Sequence, residues 1–122
     1  MADGRVQLRL AMAQVNPVVG DLAGNAQMVR DHVAEAAAAG AHLVAFPEMM
    51  LTAYPVEDLA LRDSFVEASR RAVVRLAADI AADGYGDVPV VVGYLDRADR
   101  SHAGSAPAEA EKEGAFEADL GL

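Results

Sequence analysis

One carboxylate stands where an α/β fold places its chemistry. Glu48 follows the apolar run His42–Phe46, and Pro47 between them removes a backbone donor and so marks the end of the strand that this run predicts. Glu48 is therefore expected at the carboxyl edge of the sheet, where α/β folds commonly bind their ligands. A carboxylate held there in a partly dry pocket can have its pKa raised and act as a general base. Position alone also allows a simpler interpretation, a solvated or helix-capping side chain.

The elements that must position this carboxylate are predicted in the order β-α-β-α-β. Apolar residues recur at helical spacing over about residues 24–39 and again from Asp63 to near Gly84. Short apolar runs over Val6–Met12, His42–Phe46 and Val88–Tyr94 indicate strands. The alternation predicts an α/β fold. A flavodoxin-like domain has the same order, but the sequence contains neither a nucleotide-binding nor a flavin-binding loop.

The first two strands carry different predictions about burial. In the first strand the larger apolar residues fall on alternate positions, which predicts one strongly buried face made of Val6, Leu8, Leu10 and Met12. The nearly continuous apolar run His42–Phe46 instead predicts a strand that is covered on both faces.

Length and charge narrow the classes of function. The chain has 122 residues, enough for one compact domain. Its net charge of −9 repels phosphate backbones and anionic lipid, so we expect neither nucleic-acid nor membrane binding. The sequence shows no signal-peptide pattern and no apolar run of bilayer length, which favours a cytoplasmic location. It contains no cysteine, which excludes disulfides and thiol catalysis within this chain.

Two longer segments carry a resemblance to a known family. Leu10–Asp21 and Phe46–Leu59 closely resemble the glutaminase domain of bacterial glutamine-dependent NAD synthetases, a member of the nitrilase or carbon-nitrogen hydrolase superfamily. The resemblance spans about residues 8–96 and implies the first half of an αββα sandwich. The complete domain would hydrolyse glutamine and supply ammonia for ATP-dependent synthesis of NAD from deamido-NAD. ATP and magnesium are implied only for a separate synthetase domain, so no cofactor is predicted for this chain.

The resemblance also implies roles for single residues. Glu48 matches the general base of the family, and Tyr54 matches a tyrosine beside the glutamine pocket. The alternative for Tyr54 is a half-buried aromatic that packs the loop onto the sheet. The family more usually has glycine where Ala53 stands, so a positive φ there would strain the loop. Glu57 and Asp58 are interpreted as first-turn or capping carboxylates rather than catalytic groups.

The remaining catalytic residues of the family have no matched position. The role of the family's lysine does not transfer to Lys112, the single lysine of the chain, because the residues around it do not match. No cysteine can act as the nucleophile. We therefore expect a glutaminase fragment that is inactive alone. The alternative is a non-catalytic α/β binding or assembly module on the same scaffold. His32, His42 and His102 lack the spacing of metal ligands, so no metal site is predicted.

The resemblance divides the chain into two parts. Residues 1–96 are predicted to form a partial carbon-nitrogen hydrolase domain, and residues 97–122 a polar Ala/Glu-rich tail that is poorly ordered or helical over about residues 106–118. A half-sandwich would leave strand edges unpaired and an apolar sheet face uncovered. We therefore expect self-association or association with a synthetase domain.

Overall fold

A computed structural model describes residues 4–98. Strands β1 (Leu10–Met12), β2 (Leu43–Ala45) and β3 (Val90–Val91) form a parallel sheet in the order β1-β2-β3. Helix α1 (Leu22–Ala38) connects β1 to β2. A 3₁₀ helix (Glu57–Leu61), helix α2 (Asp63–Ile80) and a π turn (Ala81–Tyr85) connect β2 to β3. The predicted α/β fold and the order β-α-β-α-β are confirmed. The predicted tail beyond residue 98, with His102 and Lys112, lies outside the described residues.

Helix α1 begins, and both helices end, at signals that the sequence carries. The side chain of Asp21 caps α1 by accepting a hydrogen bond of 3.0 Å from the Gly24 N–H. Gly40 follows α1 with φ of 83°, and Gly84 leaves the helical conformation after α2 with φ of 98°. Glycine suits both sites because a left-handed backbone strains residues that carry a Cβ. No helix among residues 4–98 is both long enough and apolar enough to cross a bilayer.

Both helices pack against the same face of the sheet. The core joins Val29 and Val33 of α1 to Leu76 and Ile80 of α2, and both pairs meet the buried side chains of β2 and of the residue after it. Those two side chains are Val44 and Phe46. Parallel strands joined in sequence order place their crossover helices on one side, which explains the shared face.

The buried face predicted for the first strand is wrong. The alternation exists, but its large members point away from the helices: Leu10 is 53% exposed and Met12 is 74% exposed, and the extended residues Val6 and Leu8 are exposed as well. The small residues Ala11 and Ala13, with Val15, contact the core instead. The reason is geometric, because a period of two shows which residues share a face but not which face the helices cover.

The prediction that β2 is covered on both faces is also wrong for the described residues. Val44 and Phe46 are buried beneath the helices, whereas Leu43 and Ala45 on the other face are only half-buried. The register places Met12 beside Ala45 and Ala45 beside Val91, so these residues form a row across that face. We call the face with Leu10, Met12, Leu43, Ala45 and Val91 the open face.

Candidate active site

The loop that carries Glu48 lies at the carboxyl end of the sheet. Pairing continues for one residue beyond β2, since the Phe46 N–H donates to the Val91 oxygen at 2.9 Å. After Pro47 the chain turns, and the Leu51 N–H donates to the Gly93 oxygen at 3.1 Å. The turn closes where the Ala53 N–H donates to the Met49 oxygen at 2.7 Å. The predicted position of Glu48, just beyond the strand, is therefore confirmed.

Gly93 lets this loop pass close to the end of β3. A Cβ at Gly93 would lie 2.7 Å from the Met49 nitrogen, a distance that real Cβ atoms essentially never show. Glycine is needed here because two backbones approach each other, although the φ of Gly93 is unexceptional. The side chains of Met50, Leu51 and Thr52 are fully buried beneath the loop. The loop thus rests on the core through its own side chains.

Glu48 itself points outward. Its residue is exposed, and it lines neither of the two cavities that flank the helices. One cavity, of about 290 Å³, is apolar and lies between the end of α2 and β3. The other, of about 470 Å³, lies between α1 and α2. Residues 4–98 therefore place the carboxylate at the expected carboxyl edge of the sheet but do not enclose it.

Tyr54 is also on the surface. Its side chain is 79% exposed, so the interpretation of a half-buried aromatic that packs the loop onto the sheet is wrong. Contact with a substrate stays a prediction. Glu57 and Asp58 lie in the first turn of the 3₁₀ helix, as expected of first-turn carboxylates, and neither forms a side-chain cap.

Ala53 takes the strained conformation that the sequence comparison with glycine suggested. Its φ is 59°, and the residue is 98% buried, with only 2% of its surface exposed. A left-handed backbone costs a residue with a Cβ about 1–2 kcal/mol. Met49, four residues earlier in the same loop, has φ of 56°. Two left-handed residues that are not glycine therefore lie within six residues of Glu48.

The histidines have structural contacts. In His32 the ring nitrogen Nδ1 lies 2.8 Å from the Met28 oxygen, and the ring meets Phe46 edge-on at a centroid distance of 6.4 Å. In His42, just before β2, Nδ1 accepts a hydrogen bond of 2.9 Å from the Arg9 N–H. Among residues 4–98, histidine and carboxylate side chains form no group of three or more that could hold a metal ion.

An ion pair that shifts the pKa values of both its members lies on the helical side of the sheet, away from Glu48. Arg30 of α1 donates two hydrogen bonds to Asp83 of the π turn, from Nε at 2.8 Å and from Nη2 at 2.7 Å. This bidentate contact raises the pKa of Arg30 and lowers the pKa of Asp83. About 30% of each side chain is exposed, so the pair joins the helices in contact with water.

Sequence reasoning missed two buried polar residues on the helices. Asn25 of α1 and Ser69 of α2 are both fully buried. Ser69 Oγ accepts a hydrogen bond of 3.0 Å from the Leu95 N–H and so fastens the chain after β3 to α2. For Asn25 a signal exists, since it precedes Val29 by four residues and Val33 by eight and therefore shares their buried helix face.

The fold agrees with comparisons against known proteins. The carbon-nitrogen hydrolase family model matches residues 9–106, and the chain belongs to this family. The chain is 43% identical over 74 residues to a glutamine-dependent NAD(+) synthetase from Rhodobacter capsulatus, covering 61% of this chain and 13% of the relative. It is 37% identical over 90 residues to the synthetase of the same name from Thermotoga maritima, covering 74% and 15% respectively.

A solved structure gives the same result at the level of the fold. The crystal structure of a glutamine-dependent NAD(+) synthetase from Cytophaga hutchinsonii superposes with a TM-score of 0.60 and 29% identity, covering 68% of this chain and 13% of that one. The fold is therefore that of part of a nitrilase-type domain. The resemblance seen in the sequence is confirmed. The chain spans about one seventh of the length of the curated relatives given above.

Proposed function

We propose that this chain supplies the general base of a cytoplasmic glutaminase, with Glu48 as that base. The observation that carries the proposal is the position of Glu48 in Phe46-Pro47-Glu48, at the carboxyl end of β2, in a chain of the carbon-nitrogen hydrolase family. The Glu48 carboxylate would take the proton of a thiol nucleophile and later pass it to the departing ammonia. The ammonia would serve the synthesis of NAD, since the relatives are named glutamine-dependent NAD(+) synthetases. The resemblance in the sequence implies that this step is the ATP-dependent amidation of deamido-NAD.

The nucleophile of this reaction must come from outside the chain. The sequence has no cysteine. The isolated chain is therefore expected to release no ammonia from glutamine, whereas a complete domain that includes its residues should do so. Tyr54, exposed five residues after Met49, is proposed to contact the glutamine.

A chimera provides the direct test. The segment of the Thermotoga maritima synthetase that matches this chain over 90 residues is replaced by the matching residues of this chain, and ammonia release from glutamine is measured. Glu48→Gln should lower kcat at least about 100-fold, because general acid–base catalysis contributes factors of 10² to 10⁴. Tyr54→Ala should mainly raise KM. Turnover that survives Glu48→Gln would refute the proposed role.

The matched control is Glu57→Gln in the same chimera. Glu57 is also an exposed glutamate and lies nine residues after Glu48, in the first turn of the 3₁₀ helix. The chemical change is identical, so the two variants differ only in position. Glu57→Gln is expected to leave kcat within about twofold of the unsubstituted chimera, since surface substitutions away from a site have small effects.

A second candidate function is a non-catalytic binding or assembly module. The exposed large apolar side chains Leu10 and Met12 favour it, because apolar patches on a surface often mark interaction sites. Retention of a full-length synthetase on the immobilised chain, together with no heat of binding when glutamine is titrated into the isolated chain, would favour this alternative. Glutamine binding that Glu48→Gln weakens would favour the glutaminase.

A further inference from the structure

Asn25 occupies an unusual place for an amide side chain. It is the fourth residue of α1 and is fully buried, one of three buried polar residues among residues 4–98. A buried amide is stable only when its donors and acceptor all have partners. Its contacts therefore indicate what the surrounding structure requires of it.

Each polar group of the Asn25 side chain is satisfied by backbone. Oδ1 accepts a hydrogen bond of 2.8 Å from the Val18 N–H. Nδ2 donates to the Val18 oxygen at 2.8 Å and to the Leu51 oxygen at 2.9 Å. Val18 belongs to the loop between β1 and α1, and Leu51 belongs to the loop that carries Glu48. One planar group thus joins two loops at the carboxyl end of the sheet.

A second link runs parallel to the first. The Gly20 N–H donates to the Thr52 oxygen at 3.0 Å, next to the Asn25 contact in both loops. On its other side the Glu48 loop is attached to the end of β3 through the Leu51 N–H and the Gly93 oxygen. Leu51 is therefore held from both sides, by α1 through its oxygen and by β3 through its nitrogen.

We propose that the side-chain amide of Asn25 is a positioning residue that fixes the backbone of the Glu48 loop relative to the sheet. The functional importance of this position rests on the function proposed for Glu48, but the positioning itself does not. Only an asparagine side chain of this length offers one acceptor and two donors in one plane. Aspartate has the same shape, but when ionised it offers no donor to the oxygens of Val18 and Leu51.

Residue-resolved hydrogen exchange of the full chain tests this proposal. In Asn25→Asp, the amide protons of Gly20, Leu51 and Ala53 should exchange at least tenfold faster relative to those of Val44 and Phe46, which bond within the sheet. The backbone resonances of Glu48 and Met49 should shift as well. A uniform acceleration of all five amides would indicate only lower global stability and would overturn the proposal.

Asn16→Asp is the matched control. Asn16 is the other asparagine of the chain, is exposed, and lies in the same loop as Val18. The same chemical change there should leave the exchange ratio within about twofold of the wild type. An equal effect of both substitutions would mean that added negative charge, and not the lost donors, loosens the loop.

The wild-type chain supplies a measurement that does not depend on the variant folding. The Nδ2 protons of Asn25 should show the same protection as the Leu51 and Gly20 amides, since one opening event exposes all of them. Lower protection of the Nδ2 protons than of these amides would overturn the proposal. None of these measurements involves glutamine, so their outcome is independent of the activity of Glu48→Gln.

Discussion

The two faces of the sheet use side-chain size in opposite ways. On the face beneath the helices, β1 presents the small Ala11, and β2 presents Val44, which is fully buried. On the open face, β1 presents Leu10 and Met12, which remain more than half exposed. Exposed apolar area loses about 25 cal/mol per Å² relative to burial. The difference indicates that the face of β1 with the larger side chains, Leu10 and Met12, suits a contact that residues 4–98 do not make among themselves.

The largest expected effect comes from making one substitution on both sides of this comparison. Leu76 of α2 is 2% exposed beneath the helices, and Leu10 lies on the open face. Leu76→Ala should lower the free energy of unfolding by about 3 kcal/mol, because it removes buried methyl groups and leaves a cavity. Leu10→Ala should lower it by about 0.5 kcal/mol. Urea denaturation of dilute samples measures both values.

The ratio of the two values decides the outcome. Equal losses would mean that Leu10 is buried in solution, and the open face would then be covered by another part of the chain or by a second copy. A change in the slope of the urea transition would show instead that one variant alters the unfolded state.

A smaller effect is expected on association. Apolar side chains on an open sheet face promote contact between copies, and we expect the wild-type chain to self-associate in sedimentation experiments. The double substitution Leu10→Lys and Met12→Lys should shift the sedimenting species toward monomer. It should not lower the midpoint of thermal unfolding when both proteins are diluted until they are monomeric, because association itself raises that midpoint. A wild-type chain that sediments as one monomeric species and unfolds cooperatively would contradict this expectation.

Val74→Lys is the control for charge alone. Val74 is an exposed apolar residue of α2 on the helical side of the molecule. Adding a positive charge there changes solubility in the same direction but leaves the open face intact. If Val74→Lys reduced association as much as the single substitution Met12→Lys, the open face would not be the contact surface.

The position of Glu48 could be predicted from sequence, but the burial of β1 could not. Pro47 gives a local signal, since it ends the strand wherever that strand lies in the fold. For β1 the alternation groups Leu10 with Met12, and the choice of the buried group depends on where two distant helices pack. That choice is a tertiary property, and the size of a side chain did not reveal it.

The same division applies within the candidate site. The strain at Ala53 could be anticipated, because the family usually has glycine at this position and the strain depends only on the φ of this one residue. Asn25 could not, because its role depends on Val18 and Leu51, which are seven residues before it and 26 residues after it in sequence. A polar residue on the apolar stripe of a helix is a signal that the sequence does carry. The partner that satisfies it becomes visible only in the fold.

The smallest expected effect concerns the ion pair between Arg30 of α1 and Asp83 of the turn after α2. Arg30 lowers the pKa of Asp83, so the contact stabilises the fold fully above the unfolded-state value, about 3.9 for an aspartate. This contribution is lost as the pH falls through the unfolded-state value and then through the lower pKa of the folded state. The pKa of Arg30 is raised from a value that is already far above neutral, so Arg30 stays charged throughout this range.

Asp83→Asn should therefore make the midpoint of urea unfolding less dependent on pH between pH 5 and pH 2, and it should lower that midpoint slightly at pH 7. The effect is small because both side chains contact water, which screens the pair, and added salt should weaken it further. Asp87→Asn serves as the control, since Asp87 is exposed and has no ion pair within residues 4–98. If Asp83→Asn kept the pH dependence of the wild type while Arg30→Gln removed it, Arg30 would act through Asp79, 3.8 Å away, and not through Asp83. In that case α1 would be joined directly to α2, through Asp79, rather than to the turn that follows α2.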